Sequence, residues 1–314
     1  MNIYEQIDRN RAQTRLLIAV FILFFAGIGL GMDFYYGAGI KAPIFTFIAL
    51  VFSIVSSYSG FRYGDRLVLS SSNARPLDLS DPKQKQWQNV VDEMSIAGGM
   101  PAPKTYIVDD PDPNAFATGR SLETASIAVT KGLLEKLNRE ELQGVAAHEM
   151  SHIRNFDIRL MLIIAVLVGS IALISDWAGR SMFWGSRRRS RGSKSSGGTG
   201  ILFVIWLIAV VLAPILAQMM AMLVSRKREY LADASGAQLT RNPMGLASAL
   251  EKISSSAEPT TSINKGSAHL CIADPRGSAL GMKEGWAADL LATHPPIFRR
   301  IESLKQMSYL AVEK

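Results

Sequence analysis

The chain has 314 residues, 48% of them hydrophobic, a net charge of +7 and one cysteine, Cys271. That length gives one large or two small domains, and a single cysteine excludes an internal disulfide framework. The basic residues flank apolar runs or crowd into one loop, which points to anionic lipid headgroups and away from nucleic acid as the partner.

Residues 1–15 are polar, with Arg9, Arg11 and Arg15, and residues 16–32 are then apolar without a charge. No Ala-x-Ala-type cleavage site precedes Asp33, so a cleaved signal peptide is not expected. A second apolar run covers residues 42–60. Each run is about the 17–20 residues that cross a bilayer core, and together they predict a helical hairpin anchor. Two buried core helices of a soluble fold are the plainer alternative. Basic residues precede the first run and follow the second (Arg62, Arg66), which places both ends in the cytoplasm.

Residues 62–159 read as soluble. Trp87, Val90, Val91 and Met94 have helical spacing, and Gly98-Gly99 ends that helix. Residues 104–108 and 126–130 predict short strands. Between them, Asp, Pro and Gly over 109–119 say turn first. A strand edge on which an extended substrate adds its backbone is the second reading, centred on Asn114, Ala115, Phe116 and Ala117.

The next stretch organises the chain. His148-Glu149-Met-Ser-His152 is His-Glu-x-x-His, and two of the four histidines fall in it. On a helix the two imidazoles share one face and can bind one Zn²⁺ ion. Glu149 can serve as general base toward a water activated there. Asn138 and Glu141 form the pattern of a capping box, and no Gly or Pro interrupts residues 145–160. A chance match on a surface helix is the alternative.

Residues 160–174 and 201–223 are a third and a fourth apolar run, joined by an arginine-rich, glycine-rich flexible loop, 180–200. The third run is short for a span, and the fourth carries Pro214. Two further spans would put the basic loop outside, against the positive-inside rule. A pair that enters the membrane without crossing is the other arrangement, and both keep residues 159 and 225 on one side.

Ser225-Arg-Lys-Arg-Glu229-Tyr-Leu-Ala-Asp233 follows. Zinc on two histidines in a protease takes a third protein ligand and leaves one place for water. Glu229 can be that ligand, and Asp233, one turn on, can orient a ligand histidine through its other nitrogen. A salt-bridged surface helix remains open, given Arg226–Arg228. If the third and fourth runs pair as a hairpin, their extensions bring His152 and Glu229 to the same depth.

Together these motifs, with Pro113-Asn114-Ala-Phe-Ala-Thr-Gly119 and Thr293-His294-Pro-Pro296 followed by Arg300, resemble the HtpX-type membrane zinc metalloproteases, relatives of the CAAX prenyl endopeptidases. The resemblance covers most of the chain. It implies a mainly α membrane protein: a helical transmembrane anchor plus a gluzincin-type metallopeptidase domain, with a small β-sheet at the cleft. It implies one Zn²⁺ per chain on His148, His152 and Glu229, Glu149 as base, Asp233 behind a ligand histidine, and substrate along Asn114, Ala115, Phe116 and Ala117. It further implies a multi-pass enzyme of the bacterial cytoplasmic (inner) membrane, with its catalytic part facing the cytoplasm and misfolded or damaged membrane proteins as substrates in stress. The expected division is an N-terminal tail and two transmembrane helices (1–61), a catalytic part with the His-Glu-x-x-His helix (62–159), a second hydrophobic pair (160–224) and a C-terminal catalytic part (225–314). His294 or Arg300 could stabilise an oxyanion, and His294 could fill the open metal position in a latent form. Packing of the last helix is the alternative for both, and His269 reads as an ordinary loop histidine. Two rival classes are a CAAX-type processing peptidase and a non-enzymatic membrane chaperone with a structural metal. The second would fill all four metal positions, often with cysteines.

Overall fold

The computed structural model describes residues 3–35, 42–167, 169–170, 227–256, 262, 270–273 and 295–312. The expectations for the basic loop, the fourth apolar run, His269 and His294 lie outside the described residues.

The first two runs form helices α1 (Ile3–Tyr35) and α2 (Ile44–Ser71), which pack on each other. Both are long and apolar enough to cross a membrane, over Ala12–Phe34 and Ile44–Ser71. Their outer faces expose Leu16, Leu23, Phe47, Ile54 and Val55, and only about a fifth of each span is buried (22% and 17%). A soluble core helix would be mostly buried, so the soluble-hairpin alternative loses its support. Where α1 ends, Asp33 accepts hydrogen bonds from the Phe45 and Thr46 amides and the Thr46 hydroxyl (2.9, 2.9 and 2.6 Å). It satisfies the open amides at the start of α2 and closes the hairpin.

The soluble part begins with β1 (Arg75–Pro76) and α3 (Pro82–Gly98). Asp81 caps α3 at its start, and Gly99 ends it in the left-handed conformation at φ 61°. Strands β2 (Lys104–Val108) and β4 (Ser126–Thr130) lie where the alternation predicts them. The segment between them divides. Asp109–Pro113 turns, and β3 (Ala115–Thr118) is a strand, so the turn reading holds for the first half only. Sheet order is β1-β2-β4-β3, with β2 and β4 parallel and the other pairs antiparallel. This leaves β3 on the edge that contacts α5.

Helices α4 (Lys131–Lys136) and α5 (Arg139–Arg154) follow. Asn138 and Glu141 form the expected capping box. Residues 141–153 of α5 are buried apart from Gln143, because α3, the sheet and α8 (Pro243–Ser254) surround it. Trp87, Val90, Ile127, Leu142, Met150, Leu246 and Leu304 belong to this one core, each removed from water at about 1.5–3 kcal/mol for a large apolar side chain.

Glu141 ties α5 to α8. Its carboxylate accepts from the Asn138 amide, the Ser248 hydroxyl and the Lys252 ammonium (2.8, 2.6 and 2.8 Å). Burial pushes its pKa up, but the bonds to Lys252, Ser248 and the Asn138 amide outweigh burial and hold it below 4.5. A depressed carboxylate stabilises the fold above its unfolded pKa, and that contribution is lost as pH falls through the folded value. Glu141→Gln is therefore expected to cost about 1–3 kcal/mol at neutral pH and to remove part of the acid sensitivity below about pH 4.5. Thermal unfolding in detergent at pH 7 and pH 3.5 checks both parts.

The structure differs from the sequence reading after α5. No Gly or Pro stands there, yet the helix stops at Asn155, and Phe156 takes φ 58°, uncommon for an aromatic residue. Helix α6 starts afresh at residue 157 and covers 157–167. It runs between α1 and α2: Ile163 and Leu167 pack with Phe21 and Phe25, and Val166 sits where a Cβ on Gly60 would be 2.6 Å from its Cγ1. The start of the third apolar run therefore shares the depth of the first span. Helices α7 (227–240) and α9 (Ile297–Val312) complete the described chain.

Candidate metal centre

Three further helices meet α5 here. His148, Glu149 and His152 come from α5, Glu229 and Asp233 from α7, Asp157 from the first turn of α6, and Arg300 from α9. All are buried. Gly236 lets α7 come close, since a Cβ there would lie 3.0 Å from the His148 amide nitrogen.

Both imidazoles point Nε2 at Glu229. His148 Nε2 is 3.7 Å from Oε2, and His152 Nε2 is 3.5 Å from Oε1. Each Nδ1 faces a carboxylate: Asp233 at 3.0 Å for His148 and Asp157 at 3.4 Å for His152. A carboxylate at Nδ1 keeps the proton there and leaves the Nε2 lone pair for a metal. One ligand atom from each of His148, His152 and Glu229 lies within 4.8 Å of the others. Two donors at about 2.0–2.1 Å from one tetrahedral ion are about 3.3–3.4 Å apart, close to the spacing seen. Two imidazoles and one carboxylate are also a donor set that divalent zinc favours.

The two histidines differ in their electrostatics. Burial pulls the His152 pKa down, but Asp157 and Glu229 raise it to about 10. Burial also lowers His148, further than Asp233 restores it. Glu149 is pushed up to about 7 by burial and by Glu229, against the pull of His152, Arg300 and the Ala117 amide. Neither of its oxygens has a well-formed hydrogen bond. A buried, weakly partnered carboxyl next to a metal-shaped cluster is built to exchange a proton.

Arg300 takes a definite place. Its Nε and Nη2 donate to the two oxygens of Asp233 (2.8 and 2.7 Å), and Nη1 donates to the Ile272 carbonyl at 2.7 Å. Nη1 also lies 3.3 Å from Glu229. Despite its burial, Asp233 is held below the usual carboxylate range by Arg300 and His148. The sequence offered Arg300 as an oxyanion donor; here its donors go to Asp233 and the Ile272 carbonyl, and Nη2 also lies 3.4 Å from His148 Nε2.

The edge expected around Asn114, Ala115, Phe116 and Ala117 forms as strand β3, which begins at Ala115. Ala115, Phe116 and Ala117 are buried, main chain included. Residues 270–273 lie along the outer side of β3. Phe116 and Cys271 form an antiparallel bridge, Ile272 N–H donates to the Ala115 carbonyl at 2.9 Å, and Asn114 Nδ2 donates to the Ala273 carbonyl at 3.2 Å. Asn114 thus anchors this segment. Asp157, which faces His152, is a residue to which sequence reading gave no role. It stands five residues after His152, a spacing that a continuous helix would put on another face.

Residues 81–308 match peptidase family M48. The chain is 42% identical over 306 residues to the "Protease HtpX homolog" of Caldanaerobacter subterraneus subsp. tengcongensis, covering 98% of each. It is 43% identical over 306 residues to that of Tropheryma whipplei strain Twist, covering 97% of this chain and 98% of the relative. Among solved structures it is similar to Ste24p of S. mikatae, with a TM-score of 0.52 and 18% identity over 96% of this chain and 66% of that one, a likeness of fold. A family match over most of the sequence and relatives aligned end to end leave one assignment: the chain belongs to peptidase family M48 and is a metalloendopeptidase.

Proposed function

We propose that this protein is a zinc-dependent endopeptidase of the bacterial cytoplasmic membrane that cuts misfolded or damaged membrane proteins, with its catalytic part facing the cytoplasm. The observation that carries the chemistry is the convergence of two carboxylate-backed histidines on Glu229, beside the buried Glu149. His148, His152 and Glu229 would hold the ion. Bound there, zinc supplies Lewis-acid polarisation of a carbonyl and lowers the pKa of water. Glu149 accepts a proton from the attacking water at a carboxylate oxygen and returns it to the leaving amine. Asp233 and Asp157 keep the Nδ1 protons in place, and Arg300 fixes Asp233 and Glu229 from behind. The main chain of β3 aligns an extended substrate, which either displaces residues 270–273 or adds beside them.

The location is supported by two membrane-length helices and by arginines at the cytoplasmic ends that the positive-inside rule assigns. Asn10, two residues before the first span, hydrogen-bonds Asp157, which puts the centre close to the bilayer surface, where a damaged membrane protein exposes unfolded chain. The test uses detergent-purified protein with casein as an unfolded substrate. One zinc per chain is expected. A chelator should abolish cleavage, and one equivalent of zinc should restore it. A destabilised membrane protein should be cut faster than its stable parent. Cleavage that persists after complete metal removal overturns the metal reading, and equal rates on the stable and destabilised substrates overturn the quality-control reading.

A further inference from the structure

We infer that the entry end of α1 belongs to the catalytic apparatus: Asn10 is a positioning residue that holds Asp157 and, through it, the ligand histidine His152. The inference rests on the zinc site proposed above. Asn10 precedes the first span, which begins at Ala12, yet it is 4% exposed. Its amide nitrogen donates to Asp157 Oδ1 at 3.0 Å and to the Asn155 carbonyl at 3.2 Å. The other oxygen of Asp157 faces His152 Nδ1 at 3.4 Å. The carboxylate is therefore divided, with one oxygen for the imidazole and one for the anchor helix.

A second strand of the network starts one turn along α1. Gln13 accepts a hydrogen bond from Arg228, whose Nε lies 3.5 Å from Asp157 Oδ1. Arg228 directly precedes the ligand Glu229. Asn10 and Gln13 are three residues apart and lie on one face of α1. Thr14 continues that face, its hydroxyl donating to the Asn10 carbonyl at 2.8 Å. The opposite face of α1 exposes Leu16 and Leu23.

The physical reason is the fully buried Asp157 carboxylate. A buried carboxylate needs donors around it, and one that orients an imidazole must itself be kept from rotating. Among the described residues, the contacts at Oδ1 come from α1 and α7. The hydrophobic helix that tethers the enzyme thus also sets the orientation of a metal ligand. Loss of a direct outer partner weakens metal binding by about 10–100-fold, and Asn10, one step further out, should account for about three- to tenfold.

The experiment measures zinc affinity by competition with a chromophoric chelator on full-length, detergent-purified protein: wild type, Asn10→Ala, Asn10→Asp, Asp157→Asn and the Asn10→Ala/Asp157→Asn double variant. Asn10→Ala is expected to weaken zinc by about three- to tenfold in wild type and to add nothing in the Asp157→Asn background. Asn10→Asp keeps the shape but sets a carboxylate against Asp157, and should be worse than alanine. A mere packing role predicts the reverse order. Arg15→Ala, at an exposed position of α1, should leave affinity unchanged. An Asn10→Ala affinity within twofold of wild type, or an equal loss in both backgrounds, overturns the inference. Should Asn10→Ala fail to fold, Gln13→Ala probes the same network through Arg228, and unchanged zinc affinity there overturns it. A wild type that binds no zinc overturns the site assignment instead, so the two failures are distinct.

Discussion

Glu149→Gln is expected to keep the full metal content and to lose peptide-bond hydrolysis by about 10²–10⁴-fold, the usual worth of a positioned general base. The amide has nearly the shape of the carboxylate and leaves His148, His152 and Glu229 untouched, so metal binding has no reason to fall. A second readout goes in the opposite direction. The carboxyl is buried without well-formed hydrogen bonds, and burial raises its pKa to about 7. Replacing a desolvated acid by a neutral group relieves that strain, so the variant should unfold at the same temperature as wild type or higher. Inactive, zinc-loaded and no less stable is the signature of a catalytic base. Undiminished cleavage would remove Glu149 from the mechanism.

Glu229→Ala should lose both metal and activity. Glu229 provides the side of the cluster that faces both Nε2 atoms, at 3.7 and 3.5 Å. Removing it leaves two histidines on one helix and no third protein donor. The loss of zinc affinity should exceed the about 10–100-fold expected for an outer partner such as Asp233. Zinc should stabilise the wild type against heat, increasingly with the logarithm of its free concentration above Kd, and should have no such effect on the variant. Casein cleavage should fall to background. Zinc and cleavage both retained in Glu229→Ala would mean that another residue supplies the third ligand, and the pairing of α5 with α7 would need to be redrawn.

Much of this site was legible because its signals are local. His148 and His152 stand four apart on a helix, a relation fixed by helix geometry before any tertiary contact forms. Glu229 and Asp233 repeat that spacing, which suits the roles expected of a third zinc ligand and of a carboxylate that orients an imidazole. The capping box at Asn138 and Glu141, the two strands at 104–108 and 126–130, and the two apolar runs are likewise written in short windows. In each, the residue pattern and the structure answer to the same backbone period.

What the sequence left open depends on elements distant along the chain. Residues 109–118 carry a turn composition, and only pairing with β4 makes the second half a strand. Arg300 reads as a possible oxyanion donor or a packing residue of the last helix, and only the structure shows it buried against Asp233 and the Ile272 carbonyl. The outer edge of β3 reads as a substrate platform, and the structure lays residues 270–273 along it. The sequence by itself pointed to the His-Glu-x-x-His pair and to the membrane hairpin, because regular helix geometry and apolar run length suffice for those, whereas Glu229 as a third ligand rested on the family resemblance. Only the tertiary structure decided the rest. The break at Asn155–Phe156 folds Asp157 back to His152 and sends α6 between α1 and α2, and the buried carboxylate so created draws Asn10 from the far end of the chain to satisfy it.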